Sequence, residues 1–385
     1  MQEGTRFFDA AASGRGIRTE ELISPRSPLR PLTMSGGAPR SPMSGPDEGT
    51  VMRSRVIEST WFEYDSYGDA DVLQERTAVL PPPGDGEVSV EIVATSINHM
   101  DAFLRNGKES TWSDAPWPRR SGSDFAGIVV AAGRGAQFAT GSHVIGHTRT
   151  GAHATHVTVP STALVPKPAR LMWEVAGGLY LAGATALDTL DQLRIGPGDT
   201  VVISAAAGAV GSIEAQLAKH RGARVIGTCG ERNFDYLRQL GVIPVRYGEG
   251  IADAIRHVAN GPVTAFIDNF GKDGRDLARQ LGVAESRYRS SADRREVELS
   301  LLREDADSVA HGTGQLGRLT QLAEDGAFRL LVSGLYPLAD IREAYEDLAN
   351  LHSRGKVVLA TRPVTTYRTI KAREVHEAMT GGYAA

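Results

Sequence analysis

Between Val56 and Leu164 the apolar residues alternate with polar ones or come in short runs. Val88-Ser89-Val90-Glu91-Ile92-Val93-Ala94 alternates, Phe125-Ala126-Gly127-Ile128-Val129-Val130 is nearly continuous, and His143-Val144-Ile145 and His156-Val157-Thr158-Val159 are shorter. Pro81-Pro82-Pro83-Gly84, Gly133-Arg134-Gly135 and Gly141-Ser142 punctuate them as turns. A period of two between turn residues predicts strands, so this half reads as a small, mostly β unit. After Ala176 the rhythm changes. Strands are expected at 201–204, 224–228, 243–247 and 264–269, with helical stretches between them. That alternation predicts a parallel sheet with right-handed crossovers. Leu316 to Glu324 and Ile341 to Leu351 read as later helices, and Lys356-Val357-Val358-Leu359-Ala360 as a closing strand. No internal repeat is visible.

One stretch of this second half carries chemistry. Val201-Val202-Ile203 reads as a buried strand, Ala205-Ala206-Ala207-Gly208-Ala209-Val210-Gly211 as a tight turn, Ile213 to Lys219 as a helix and Arg224-Val225-Ile226 as a second strand. A strand turning directly into a helix gathers free backbone N–H groups and the positive end of the helix dipole at one point, which suits a pyrophosphate. Ala205, Gly208, Ala209, Val210 and Gly211 are the candidate cradle; Gly208 permits close approach of the backbone and Gly211 close packing of helix on strand. The tip of the second strand selects the dinucleotide. Units that bind NAD place an acid there for the ribose diol. Here the tip reads Gly227-Thr228-Cys229-Gly230-Glu231-Arg232. Thr228 leaves room for a phosphate and Arg232 can bind it bidentately, which favours NADPH. Glu231 either folds toward the ribose or neutralises Arg232.

Composition narrows the surroundings. The 385-residue chain has a formal net charge of −4, with both signs interspersed. No basic stripe for nucleic acid and no polybasic membrane patch appears. The single cysteine, Cys229, excludes an intrachain disulfide and fits a reducing compartment, so a cytoplasmic location is expected. The longest apolar run, Val175 to Leu187, is short and broken by glycine, and no membrane span is expected. Met1 to Thr50 is rich in Gly, Ser, Pro and Arg, with a breaker every few residues. It reads as a disordered extension with no secretory h-region, or as upstream of a true start at Met34, Met43 or Met52.

Several ordered motifs then carry a resemblance. They are Tyr67-Gly68-Asp69-Ala70-Asp71-Val72-Leu73, Ser96-Ile97-Asn98-His99-Met100-Asp101 followed by Arg105 and Gly107, Gly122-Ser123-Asp124-Phe125-Ala126-Gly127, Leu181-Ala182-Gly183-Ala184-Thr185-Ala186, the glycine turn, Asp268-Asn269-Phe270-Gly271, and Gly355-Lys356-Val357-Val358-Leu359. Together they resemble the medium-chain dehydrogenase/reductase superfamily, in its zinc-independent quinone oxidoreductase branch. The resemblance implies an α/β protein: a GroES-like, mostly β catalytic domain with an inserted Rossmann domain, a doubly wound parallel sheet. The expected boundaries are an extension at 1–55, a first catalytic part at 56–181, the NADP-binding domain at 182–312, a return to the catalytic domain at 313–362 and a tail at 363–385. Hydride from NADPH to a quinone or an α,β-unsaturated carbonyl is the implied reaction.

By the same resemblance Asn98 lies on the cleft floor and donates to the substrate oxygen, with a turn-stabilising role as its alternative. Asp101, counted with Asn98 and Thr185 among the catalytic candidates, orients that turn and Arg105 rather than acting as a base. Thr185 lies near the nicotinamide or caps the hinge helix. Tyr247 touches the adenosine half and Asn269 belongs to the cofactor site. A homodimer is implied, through a sheet edge near Ser308-Val309-Ala310.

Some residues depart from the family pattern. Gly122-Ser123-Asp124 stands where zinc-dependent relatives carry Gly-His-Glu, and one cysteine supplies neither of their zinc sites, so no metal is expected. His143, His147, His153 and His156 are read as ring replacements on a sheet surface. Lys108-Glu109-Ser110 stands where many relatives have a tyrosine, which leaves the proton donor open. Trp112 and Trp117 line a substrate pocket or pack on the surface. Gly274 to Arg295 is unusually charged. Two further readings stand beside the quinone reductase: a dedicated enoyl or ketone reductase of a secondary-metabolite pathway, and an NADPH-binding protein with little catalysis.

Overall fold

The computed structural model describes residues 56–109, 116–272, 274–350, 354–364 and 371. The expected N-terminal extension, Trp112 and nearly all of the expected tail lie outside them.

In chain order the elements are β1 (Ile57–Tyr64), β2 (Gln74–Leu80), β3 (Glu87–Ile97), α1 (His99–Arg105), β4 (Arg119–Arg120), β5 (Asp124–Ala132), β6 (His143–His147), β7 (His156–Pro160), β8 (Leu164–Pro166), α2 (Trp173–Ala176) and α3 (Tyr180–Gln192). Then follow β9 (Thr200–Ile203), α4 (Ala209–His220), β10 (Arg224–Cys229), α5 (Phe234–Gln239), β11 (Ile243–Arg246), α6 (Ile251–Ala259), β12 (Ala265–Ile267), α7 (Gly274–Gln280), β13 (Tyr288–Arg289), α8 (Ser291–Leu301) and α9 (Ala306–Glu324). The chain then runs through β14 (Val332–Pro337), α10 (Ile341–Asn350) and β15 (Lys356–Ala360).

The alternating half forms the GroES-like sheet, in the order β14-β15-β3-β5-β6-β8 with β7 paired to β3. Val88, Val90 and Ile92 of β3 are fully buried beside Phe125 and Val129 of β5. The strand–helix half forms a sheet in the order β11-β10-β9-β12-β13, and every pairing is parallel. This is the Rossmann order, whose crevice opens at the carboxyl ends of the strands where the winding reverses. Here the reversal lies between β9 and β12.

Two features position the crevice. The first is α3, whose residues from Tyr180 to Leu190 are all buried. Its small residues allow α9 close: a Cβ on Gly183 would lie 2.8 Å from Leu319 Cδ1. The second is the return of the chain after the Rossmann region. β15 pairs antiparallel to β3, with Val357 opposite Ile97. That register brings Lys356 beside Asn98. Gly355 in turn bridges to Gly208, its N–H donating to Ala207 O at 3.2 Å. One tripeptide, Gly355-Lys356-Val357, thus joins the GroES-like sheet to the glycine turn after β9.

The stretch expected as a sheet edge near Ser308-Val309-Ala310 is helical instead. It forms the start of α9, and Asp305 caps it by accepting from Ser308 N at 3.0 Å. The two edges of the Rossmann sheet are β11 and β13, so the dimer seat expected at 308–310 is not a strand.

Candidate active site

A cleft of about 670 Å³ lies at the carboxyl ends of β9, β10 and β12, and Asn98 and Lys356 of the other sheet form its floor. Its mouth is built by the glycine turn. Ala206 N donates to Thr228 O at 3.1 Å, which holds the turn against β10. Ala205 adopts φ +48, a left-handed conformation that an alanine enters only when its surroundings impose it. Gly208 is the N-cap residue of α4 and lines the cleft. A Cβ on Gly211 would lie 2.6 Å from Ala205 O and 3.0 Å from Ala206 Cα. The close packing that demands Gly211 is therefore against the turn itself. The cradle of Ala205, Gly208, Ala209, Val210 and Gly211 lines the cleft throughout, and the first N–H groups of α4 face it without intrahelical partners. These residues fit a dinucleotide pyrophosphate.

Around the mouth, Thr228 is buried, and Arg232 follows it at the rim. Glu231 does neither of the things expected of it: its carboxylate pairs with Arg246 at 3.0 Å. Arg354 donates to Asn233 Oδ1 at 2.6 Å and to the Arg232 carbonyl, so a second guanidinium stands behind the rim. Tyr247 and Phe270 are both 57% exposed, with near-parallel rings whose centroids are 6.5 Å apart.

The floor is polar and deeply buried. Asn98 follows β3 and caps α1, and Asp101 Oδ2 accepts from Asn98 N at 2.7 Å. Lys356 Nζ donates to Asn98 Oδ1 at 2.5 Å and to Ile97 O at 3.3 Å, with Asp124 Oδ2 at 3.9 Å. An ammonium has no lone pair to offer, so it fixes which amide atom faces it. Asn98 Nδ2 is left buried and without a hydrogen-bond partner. Burial lifts the Asp101 carboxyl to about 7, the nearby Asp124 adding to the rise. Burial pushes the Lys356 ammonium down, against the pull of Asp124, Asp101 and Glu298. On the facing wall, Asn269 Nδ2 donates to Glu214 Oε2 at 2.6 Å, while Arg294 and Glu298 of α8 complete the lining.

Not every expected residue reaches the cleft. Asp101 serves the N-terminus of α1 and is not among the lining residues. Arg105 Nε donates to the carbonyls of Gly68 and Asp69. Thr185 lies fully buried in the middle of α3, donating to Leu181 O at 2.7 Å. It neither caps that helix nor lines the cleft, where α3 contributes Ala182 instead. Trp117 packs edge-on against Tyr64 and Tyr67 under the Arg119 guanidinium, away from the cleft.

Of the four histidines, His143 is exposed at the start of β6 and His156 half-buried at the start of β7, whereas His147 and His153 are buried. His153 is fully buried between Ser121 Oγ and Ser96 O, 3.0 Å from each, and burial drives it down to about 4. His147 is stacked on Tyr180 and bonded to Thr313 Oγ1 at 2.9 Å. Among the described residues no three His, Cys, Asp or Glu side chains converge as metal ligands.

Lys356, Glu214, Arg294 and Glu298 had no place in the sequence reading of the site. Glu214 carried the one available signal, an acid amid the small and apolar residues of a helix buried along most of its length.

Residues 84–169 match the alcohol dehydrogenase GroES-like domain family and residues 242–359 the family described as zinc-binding dehydrogenase. The chain is 30% identical over 318 residues to a probable mitochondrial zinc-binding oxidoreductase of Arthroderma benhamiae, covering 74% of this chain and 92% of that protein. It is 29% identical over 321 residues to the chloroplastic quinone-oxidoreductase QR1 of Triphysaria versicolor, covering 77% and 97% of the two. The structure of Escherichia coli quinone oxidoreductase complexed with NADPH shares the fold, with a TM-score of 0.66, 22% identity, and coverage of 78% of this chain and 99% of that one.

Proposed function

This chain belongs to the medium-chain dehydrogenase/reductase superfamily, in its quinone oxidoreductase branch, and from that premise we propose that it is an NADPH-dependent reductase of quinones or α,β-unsaturated carbonyls that works without zinc. The observation that carries this reading is the orphaned Nδ2 of Asn98, a buried donor whose orientation is fixed by Lys356.

The glycine turn and the start of α4 hold the pyrophosphate, Arg232 the 2′-phosphate, and Tyr247 the adenosine half. When bound, the dinucleotide supplies a hydride. Asn98 Nδ2 donates to the substrate oxygen on which negative charge gathers. A buried donor left unsatisfied costs about 1–3 kcal/mol, so it favours a ligand that presents an acceptor. The Lys356 ammonium behind the amide strengthens the donor and keeps the carbonyl end turned away from the substrate. The zinc-independent reading is supported by the described residues, among which no three potential metal ligands converge.

The test is a titration with NADPH and NADH followed by tryptophan fluorescence, with 1,4-quinones and enones added to the complex. NADPH binds more tightly than NADH and is oxidised on addition of substrate. Asn98→Ala lowers turnover roughly a hundredfold, the loss typical of one oxyanion donor, while NADPH affinity stays within about twofold. Unchanged turnover in a variant that still binds NADPH removes Asn98 from the mechanism, and absence of binding to either dinucleotide ends the whole reading.

A further inference from the structure

A second amide faces the same cleft, and its polarity is the reverse of the first. Asn269 follows β12, and its backbone is pinned. Asp268 Oδ1 accepts from Ser204 Oγ at 2.8 Å, from Phe270 N at 3.1 Å and from Gly271 N at 2.9 Å, which ties the loop after β12 to β9. Its side chain is pinned as well, through Nδ2 to Glu214 Oε2 at 2.6 Å. An ionised carboxylate only accepts, so it must face the amide nitrogen. Asn269 Oδ1 is left buried and without a partner. Two residues that line the cleft thus each keep a buried amide atom without a partner, a donor on Asn98 beside the Lys356 ammonium and an acceptor on Asn269 beside the Glu214 carboxylate.

Glu214 has no other evident task. It is fully buried, and its Oε1 has no hydrogen-bond partner. The charged groups that act on it are Arg294 and Glu298 of α8, the first favouring its ionised form and the second opposing it. Burial lifts its carboxyl to about 7, the bond from Asn269 opposing the rise. An acid in so costly a place, spent on one amide, marks the orientation of that amide as the feature that matters.

We propose that Glu214 is a positioning residue that holds Asn269 Oδ1 toward the cleft, where it accepts a hydrogen bond from the nicotinamide half of the dinucleotide. The inference rests on the reading of this cleft as an NADPH site. The two donors on that half are the ribose hydroxyls and the carboxamide N–H2. 2′,5′-ADP carries the adenosine half alone, and the 3-acetylpyridine analogue of the oxidised cofactor has no carboxamide donor.

The experiment compares NADPH with 2′,5′-ADP on the full chain and on Glu214→Gln, Asn269→Leu and the double variant, at about pH 8, where the carboxyl is ionised. Thermal unfolding checks that each variant is folded. Glu214→Gln weakens NADPH roughly three- to tenfold, the loss of about one hydrogen bond, and leaves 2′,5′-ADP unchanged. It also alters the fluorescence enhancement of bound nicotinamide, a signature that general loosening of the fold does not single out. The double variant is no weaker than Asn269→Leu alone, because Glu214 acts through Asn269. If the 3-acetylpyridine analogue is insensitive to Glu214→Gln, the partner is the carboxamide; if it loses the same factor, the partner is a ribose hydroxyl. Either result supports the assignment. An equal effect on NADPH and 2′,5′-ADP, no effect on either, or additive losses overturns it while leaving the cofactor reading intact. Failure of the unaltered protein to bind both ligands overturns the two together.

Discussion

At the scale of single residues the site depends on which charge stands behind which polar group. Arg232 illustrates this at the rim. Its neighbour Glu231 is drawn off by Arg246, so no carboxylate stands at the strand tip to prefer a ribose diol. Arg232→Ala is expected to weaken NADPH roughly ten- to a hundredfold, as for charge-assisted bonds to phosphate, and NADH by less than about twofold. Equal losses for both dinucleotides, measured by the same fluorescence titration, would remove Arg232 from that role. Arg232, Asn98 and the glycines were legible in the sequence because a motif fixes each relative to its own strand and turn. Lys356 was not, because its meaning lies in a register: Val357 falls opposite Ile97 only once β15 is laid against β3. Thr185 shows the converse. Its motif was legible, yet the helix turns its hydroxyl onto its own backbone, and one residue's rotation about a helix axis is not written in the motif.

At the scale of elements, the strands emerged with their ends displaced by a residue or a few, whereas the helix read from Leu316 begins ten residues earlier, at Ala306. Strand 356–360 coincides with β15, while the helix read from Ile213 begins at Ala209, because the first turn of α4 consists of the glycine motif itself. The charged stretch after β12 was legible only as unusual. It becomes α7, β13 and α8, and α8 brings Arg294 and Glu298 to the cleft. Its start is set by a reciprocal cap in which Ser290 Oγ accepts from Asp293 N at 3.1 Å and Asp293 Oδ2 accepts from Ser290 N at 2.7 Å. Ser290→Ala is expected to cost about 0.5–2 kcal/mol, read as a lower urea midpoint with an unchanged slope. A midpoint equal to that of the parent would mean that packing alone fixes the helix. The same signal, Asp305 followed by Ser308, marked the start of α9 where a sheet edge was expected. A single valine between Ser308 and Ala310 is too little alternation to define a strand.

At the scale of the molecule, the buried ionisable groups act against one another. Burial raises Asp101 and Glu214 to about 7 and also raises Glu298, so the folded chain keeps protons that the unfolded chain has already lost, and stability falls as pH rises from about 4 to 7. Burial lowers His147 and His153 to about 4 and also lowers His156, so the unfolded chain holds protons that the folded one lacks, and stability rises over about 4 to 6.5. The two slopes oppose, and the unfolding midpoint is expected to be nearly level between about pH 5 and 6.5. Below about 4 it drops. Arg318 and Arg221 hold Asp191 down, and Thr264, Gly196 and Arg287 hold Asp199 down, in both cases against the effect of burial. His147→Phe removes one of the rising contributions, so its midpoint should decline with increasing pH across the level region; a profile parallel to the parent's would refute the balance. The union of Asn98 with Lys356 has a different kind of consequence. The two residues are 258 positions apart. A ribosome that has finished β3 must add all of the intervening chain before the amide meets its cation, roughly ten to fifty seconds at ordinary rates of synthesis. Through that interval the Ala94–Ile97 end of β3 waits with one edge unpaired, the Glu87–Glu91 part of that edge being covered by β7. A product truncated before β15 therefore has both an open sheet and an unfinished cleft floor, because one strand supplies the cation and closes the seam.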